Sequence, residues 1–178
     1  MTNASRFFVP STLSTLIAIP ILGGLMILQT SLLSRFPLLE GTSDLMMLAV
    51  IAWALQKRVQ TAWQWCIIGG LMFSLVSALP VGAALIAYIL VTALALALRR
   101  LLWQAPLLAM LVTIFLGTII MHAVSLAAVL ISGTSLPVGE VINLITLPSL
   151  LLNLLLAIPV YAIINDLAKW LYPEELEG

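Results

Sequence analysis

Residues 69 to 88 read GGLMFSLVSALPVGAALIAY, and no charged side chain occurs among them. The stretch lies inside a run of forty residues, 59–98, that lacks Asp, Glu, Lys, Arg and His. As one helix this run would extend roughly 60 Å, whereas the hydrocarbon core of a bilayer is about 30 Å thick. The run therefore has to cross a membrane twice, and Pro80-Val81-Gly82 near its middle is a strong turn signal. We predict a helical hairpin with helices at 62–79 and 83–98.

The whole composition is that of an integral membrane protein. Of the 178 residues, 63% are hydrophobic and 8% are charged. The mean hydropathy is +1.22. About a quarter of the residues in a soluble domain are charged, so this chain could not cover a soluble surface. The net charge is zero and no basic run occurs, so we expect no nucleic-acid partner.

We expect an all-α fold, a compact bundle of six transmembrane helices that forms a single domain over residues 1–178. The apolar run 13–33 is longer than the core of a signal peptide, so we interpret it as a retained anchor. The second span is ambiguous because its apolar part, 44–55, has only twelve residues; without it the bundle has five spans. Residues 137–146 are expected to form a short interfacial piece. The six spans are expected at about 12–33, 38–56, 62–79, 83–98, 106–131 and 147–170.

The basic residues predict an orientation in the membrane. With six spans, six of the seven basic residues face the cytoplasm and Arg35 faces out, a strong positive-inside bias. With five spans the ratio is the same, with Arg6 as the exception. The charges therefore place the later helices and a cytoplasmic C-terminus, and they leave the side of the N-terminus open.

All five tryptophans lie within seven residues of a basic residue. Tryptophan favours the membrane–water interface, so we interpret these aromatic and basic residues as anchors at the cytoplasmic boundary. The predicted membrane-interface anchors are Trp53, Lys57, Arg58, Trp63, Trp65, Arg99, Arg100, Trp103, Lys169 and Trp170.

Groups that could carry catalysis are scarce. His122 and Ser125 are three residues apart on one predicted helix, but no Gly-x-Ser-x-Gly turn accompanies them. One His and one Cys form no metal-ligand cluster. We expect a non-enzymatic protein with no catalytic residue, cofactor or metal. We expect His122 and Asn153 to form hydrogen bonds with neighbouring helices rather than to relay protons or bind a substrate.

Small residues recur inside the apolar helices. Gly69 and Gly70 are adjacent, and Ala83 and Ala87 are four residues apart. Such spacing lets helix backbones approach closely, either within this chain or against the membrane helices of a partner, and both remain open. The candidate residues for helix packing or a partner interface are Asp44, Gly69, Gly70, Pro80, Gly82, Ala83 and Ala87.

The order of these features resembles the MreD family of rod shape-determining membrane proteins. Asp44 opens an apolar helix that contains Trp53-Ala54-Leu55, and the basic turn Lys57-Arg58 follows. Gly69-Gly70 and then Pro80-Val81-Gly82 complete the pattern. The motifs cover residues 44–98, and length and hydropathy extend the resemblance over the chain. The family often has Pro and Asp where this chain has Ser43 and Ser74.

The resemblance implies a membrane scaffold or regulatory subunit of the bacterial cell-elongation (rod) complex, which controls cell shape and peptidoglycan synthesis. The expected partners are the lipid bilayer, an MreC-like protein, a RodA-like glycosyltransferase and a class B penicillin-binding protein. The family's six-helix fold is similar to the substrate-binding subunits of energy-coupling-factor vitamin transporters. Such a subunit, or an accessory subunit of another membrane complex, is the alternative. A vitamin pocket would draw on Asn143, Asn153, Thr146 and His122.

Overall fold

The computed structural model describes residues 11–31, 42–80, 82–134 and 137–172. All the regular structure in these ranges is helical, as expected from the sequence. The helices are α1 (Ser11–Ser31), α2 (Leu45–Ala54), α3 (Ala62–Val76), α4 (Ala83–Leu101), α5 (Pro106–Ile131), α6 (Val138–Glu140), a π-helical segment (Val141–Thr146) and α7 (Leu147–Leu171).

Four of the helices are long and apolar enough to cross a membrane, which makes this a multi-pass membrane protein by length and composition. They are α1, α4, α5 and the continuous helix Val138–Leu171. The α2 and α3 helices are shorter, with 10 and 15 residues. At about 1.5 Å per residue, α2 extends roughly 15 Å, half of the hydrocarbon core. Within the predicted 38–56 span, only Leu45–Ala54 is helical in the part of the chain that the structure describes.

The predicted hairpin is confirmed. Helices α3 and α4 pack against each other, and the chain turns between them at Gly82, whose φ is 89°. This left-handed conformation is readily adopted by glycine, because it has no Cβ. The Ala83 N–H donates to the Pro80 carbonyl at 3.1 Å and closes the turn.

Residues 137–146 differ from the prediction. Instead of a separate interfacial piece, α6 and the π-helical segment continue directly into α7, so that Val138–Leu171 is one helix of 34 residues. Pro148 lies at the start of α7. Because proline has no backbone N–H, it interrupts the regular α-helical hydrogen bonds between the π-helical segment and α7.

The core of the bundle is α2. All ten of its residues are buried, and α1, α3, α4, α5 and α7 all contact it. A helix that is apolar on every face is expected to be buried on every face. Gly69 allows the close approach of α3, because a Cβ there would lie 3.1 Å from a methyl group of Val50.

Side-chain contacts define two ends of the bundle. The Arg99 side chain reaches the Gln56 carbonyl and the Arg58 side chain reaches the Tyr172 carbonyl, which brings the ends of α2, α4 and α7 together at what we call the basic end. The Ser14 hydroxyl meets Thr61 at 3.1 Å, so α1 also begins there. The start of α2 lies at the opposite end.

Candidate functional site

Asp44 is the centre of a buried polar network at the opposite end. It is the N-cap of α2, and its carboxylate accepts a hydrogen bond from the Met47 N–H at 2.9 Å. The Tyr88 hydroxyl, on α4, donates to the two carboxylate oxygens at 3.0 and 3.2 Å. Asp44 is only 8% exposed. The Asp44 side chain therefore lies inside the protein and connects α2 with α4.

Asn153 joins the same network from α7. Its amide oxygen accepts from the Ser43 hydroxyl at 2.9 Å and from the Asp44 N–H at 3.0 Å. Its amide nitrogen donates to the Thr118 hydroxyl on α5 at 3.0 Å. The sequence-based expectation that Asn153 forms hydrogen bonds with neighbouring helices is therefore confirmed.

Two further side chains accept from the backbone around the start of α2. The Gln29 amide oxygen, on α1, accepts from the Leu45 N–H at 2.9 Å. The Ser149 hydroxyl, on α7, accepts from the Thr42 N–H at 3.0 Å. The first N–H groups of a helix have no intrahelical partner, and an apolar surrounding supplies none. The network meets this need with side chains from several helices.

A cavity of about 340 Å³ lies beside the network. It is bounded by α1, α2, α3, α5, the π-helical segment and α7, and most of its wall is apolar, including Phe73, Leu126 and Ile145. Small-molecule pockets occupy roughly 300–1,000 Å³ and have a few convergent polar groups in an apolar wall. The polar residues that line it are Gln29, Thr42, Asp44, Thr118, His122, Ser125 and Asn153.

His122 and Ser125 both line the cavity but use different partners. A ring nitrogen of His122, Nδ1, lies 3.0 Å from the Thr146 hydroxyl, and the Ser125 hydroxyl donates to the Met121 carbonyl at 2.7 Å. No hydrogen bond joins the two side chains within the described residues. Of the four residues considered for a vitamin pocket, the cavity is lined by His122 and Asn153, while Asn143 is exposed.

The candidate packing residues lie inside the bundle or at its turn. A Cβ on Gly70 would lie 2.9 Å from a methyl group of Leu85 and 3.2 Å from its Cα, which places α3 directly against α4. Ala83 and Ala87 are buried. Pro80 is exposed. Gly69 and Gly70 thus serve contacts within this chain; a partner interface at the candidate positions stays a prediction.

The basic end contains a second set of buried contacts. The Arg99 guanidinium donates from Nη1 to the carbonyls of Ala54, Gln56 and Val59 at 3.1, 2.9 and 3.3 Å. These carbonyls belong to the last turn of α2 and the loop after it. Arg99 thus supplies donors where the α2 helix leaves carbonyls without intrahelical partners.

The structure corrects the interpretation of two tryptophans as interface anchors. Trp53 and Trp65 are completely buried and stack with ring centroids 4.2 Å apart. Their indole N–H groups donate to the Thr61 hydroxyl and to the Ser14 carbonyl. They are core residues because their indole hydrogen bonds are made inside the bundle. Trp63, Trp103 and Trp170 are 43%, 57% and 74% exposed.

Sequence reasoning missed Tyr88 and Gln29. A tyrosine within an apolar helix was the available signal, because a buried hydroxyl needs a hydrogen-bond partner. Gln29, near the end of the first apolar run, offered a similar signal.

Comparisons with protein-family models, with curated proteins and with solved structures gave no match to this chain. Among the described residues, no group of three or more His, Cys, Asp or Glu side chains could hold a metal ion. The network, the cavity and the sequence motifs are therefore the features from which a function can be inferred.

Proposed function

We propose that this protein is a non-enzymatic scaffold or regulatory subunit of a bacterial cell-elongation complex, similar to the MreD family. Its role would be to bind the membrane helices of an MreC-like protein, a RodA-like glycosyltransferase or a class B penicillin-binding protein. In this role it would influence where peptidoglycan is inserted and hence the shape of the cell.

The observation that supports this proposal is that the motif residues hold the helices α2, α3 and α4 together. Asp44 caps α2 and bonds to Tyr88, while Gly70 meets Leu85 across the α3–α4 contact. Gly82 makes the turn between those helices. The motif that carries the resemblance thus corresponds to one interlocked unit, α2–α3–α4, rather than to unrelated turns. This supports the proposed similarity to the MreD family, because residues of a family motif are expected to lie together in one structural unit.

The proposal includes six passes in the inner membrane, with α2 as a short central pass. Helix α1 begins beside Thr61 at the basic end and has Gln29 near its far end, beside Leu45. This direction favours six passes over five. By the positive-inside rule the basic end, and with it the C-terminus, would face the cytoplasm. The proposal also includes an arrangement of the helices similar to that in the substrate-binding subunits of energy-coupling-factor transporters.

The test is affinity purification of the tagged protein from native bacterial membranes in mild detergent, followed by mass spectrometry. We expect the three cell-wall partners in stoichiometric amounts. A Gly24→Leu variant provides a matched probe of the surface, because Gly24 is exposed and a Cβ there meets nothing within 4 Å. Loss of partners in this folded variant would locate the interface on α1. Absence of all three partners with the wild-type protein would refute the scaffold proposal.

The cavity favours a second candidate, a substrate-binding subunit of a membrane transporter. A volume of about 340 Å³ suits a small, largely apolar molecule with one polar end, because the polar residues cluster near Asp44 and Asn153. Extraction and mass spectrometry of the purified protein would then yield a stoichiometric small molecule, with ATP-binding-cassette ATPases and a coupling subunit among the copurifying proteins. A Ser125→Leu variant, which extends an apolar side chain into the cavity, should lose that molecule and remain folded.

A further inference from the structure

A second, smaller cavity lies at the basic end. It has a volume of about 150 Å³ and lies where the loop after α2 meets α4, α5 and α7. Three of its lining residues are basic, namely Lys57, Arg58 and Arg99, and none is acidic. We call it the basic pocket.

The Arg99 guanidinium has donors available in this pocket. Its three hydrogen bonds to backbone carbonyls all come from Nη1, and Nε and Nη2 donate to no acceptor within the described part of the chain. A guanidinium carries five N–H donors in a planar fork that matches a phosphate. A half-buried cation of this kind favours an anionic ligand with several oxygens.

The other two basic residues are held at the rim. The Lys57 ammonium lies 5.1 Å from the centre of the Trp103 ring, a cation–π distance. Arg58 is fixed by its hydrogen bond to the Tyr172 carbonyl at 2.9 Å. Asp166, the acidic residue next to Asn165 of the pocket, is mostly exposed and lies 3.9 Å from Lys169. Among the residues that line the pocket, the cations are therefore not accompanied by a carboxylate.

An apolar cavity lies between α5 and α7, further from the basic end than the basic pocket. The pocket is lined by Pro106 and Ala109 on α5 and by Tyr161 and Asn165 on α7. About one turn further along the same two helices is a cavity of about 80 Å³. It is lined only by Leu107, Met110, Leu111, Ala157 and Ile158.

We propose that the basic pocket binds the phosphate of an anionic phospholipid and that the adjoining α5–α7 cavity receives part of its acyl chain. A basic pocket between membrane helices, next to an interfacial tryptophan, matches such a headgroup. A free phosphate would account for the three cations but not for an apolar cavity one turn deeper. The lipid therefore fits both features, and this inference does not depend on the proposed function.

The experiment is native mass spectrometry of the full-length protein, delipidated in a neutral detergent and titrated with phosphatidylglycerol or phosphatidylcholine of equal chain length. We expect selective binding of phosphatidylglycerol. Each surface cation contributes on the order of 1 kcal/mol, so Lys57→Gln should weaken that binding about fivefold. The matched control removes one cation of the same end that does not line the pocket, Arg100→Gln, and should bind within about twofold of wild type.

Three results would overturn the proposal. One is equal affinity for the two lipids. Another is an equal loss of affinity in the control variant, which would mean a diffuse surface charge. The third is binding of inorganic phosphate, or of glycerophosphoglycerol, which has no acyl chain, as tightly as the long-chain lipid, which would mean a phosphate site without an acyl-chain cavity.

Discussion

The contact between α3 and α4 makes a sharp prediction about Gly70. Its alanine variant would place a Cβ 2.9 Å from a methyl group of Leu85, 3.2 Å from the Leu85 Cα and 3.2 Å from the Tyr88 Cβ. The methyl group can rotate away, but the Leu85 Cα belongs to the backbone of α4 and can move only with that helix. We therefore expect the two helices to separate by a few tenths of an ångström.

The size of the effect follows from two opposing terms. Overpacking a well-packed contact costs about 1–3 kcal/mol, and replacing glycine with alanine inside a helix gains roughly 0.5–1 kcal/mol. From the middle of both ranges, the free energy of unfolding should therefore fall by about 1 kcal/mol in Gly70→Ala. Gly24→Ala on α1 is the matched control, because its Cβ meets nothing within 4 Å. That variant should be unchanged or more stable by up to about 1 kcal/mol.

The assay is reversible unfolding by sodium dodecyl sulfate in mixed micelles, followed by tryptophan fluorescence. Trp53 and Trp65 are stacked and completely buried, so unfolding changes their environment strongly. A Gly70→Ala protein as stable as wild type would refute the inference that Gly70 sets the α3–α4 distance. A loss of stability in Gly24→Ala equal to that in Gly70→Ala would also refute it.

Three further predictions concern the buried polar contacts. Tyr88→Phe keeps the ring but removes the donor to the Asp44 carboxylate, so the free energy of unfolding should fall by about 1.5–3 kcal/mol in the same assay; a change below 0.5 kcal/mol would contradict it. Asn153→Leu leaves the Asp44 N–H without its acceptor and should cost about 2–3 kcal/mol; an unchanged free energy of unfolding would count against the assigned hydrogen bonds. Arg99→Gln removes the guanidinium that donates to three carbonyls around the end of α2. Limited proteolysis should therefore cut within 55–61 faster than in wild type. An unchanged cleavage rate would show that Arg99 does not hold this loop.

The central position of α2 explains why polar groups concentrate at its two ends. A helix buried on all sides in a membrane protein has no water to satisfy its terminal N–H and C=O groups. Asp44 and Asn153 supply acceptors at the first end, and Arg99 supplies donors at the last. The cavity is lined by Asp44 and Asn153 and the basic pocket by Arg99, so both lie at these same ends.

Several features of this protein were determined by the sequence itself. The run 59–98 is too long for one crossing, so its apolar length and Pro80-Val81-Gly82 were enough to predict the hairpin of α3 and α4. The bounds of α5 were also predicted correctly, as 106–131. These features depend on the hydropathy of a continuous segment and on the residue types at a turn, and both are set by residues that are neighbours in the sequence.

Only the tertiary structure decided the rest, because the decisive partners are far apart in the chain. Asp44 meets Tyr88 44 residues away and Asn153 109 residues away. Trp53 is the same residue type as Trp103, yet one is fully buried and the other 57% exposed. The ratio of cytoplasmic to external basic residues was the same for five and six spans, whereas the contact of Ser14 with Thr61 places the start of α1 at the basic end. Hydropathy reports how apolar a segment is; which side of a helix meets another helix, and which polar groups converge there, depends on packing across the whole bundle.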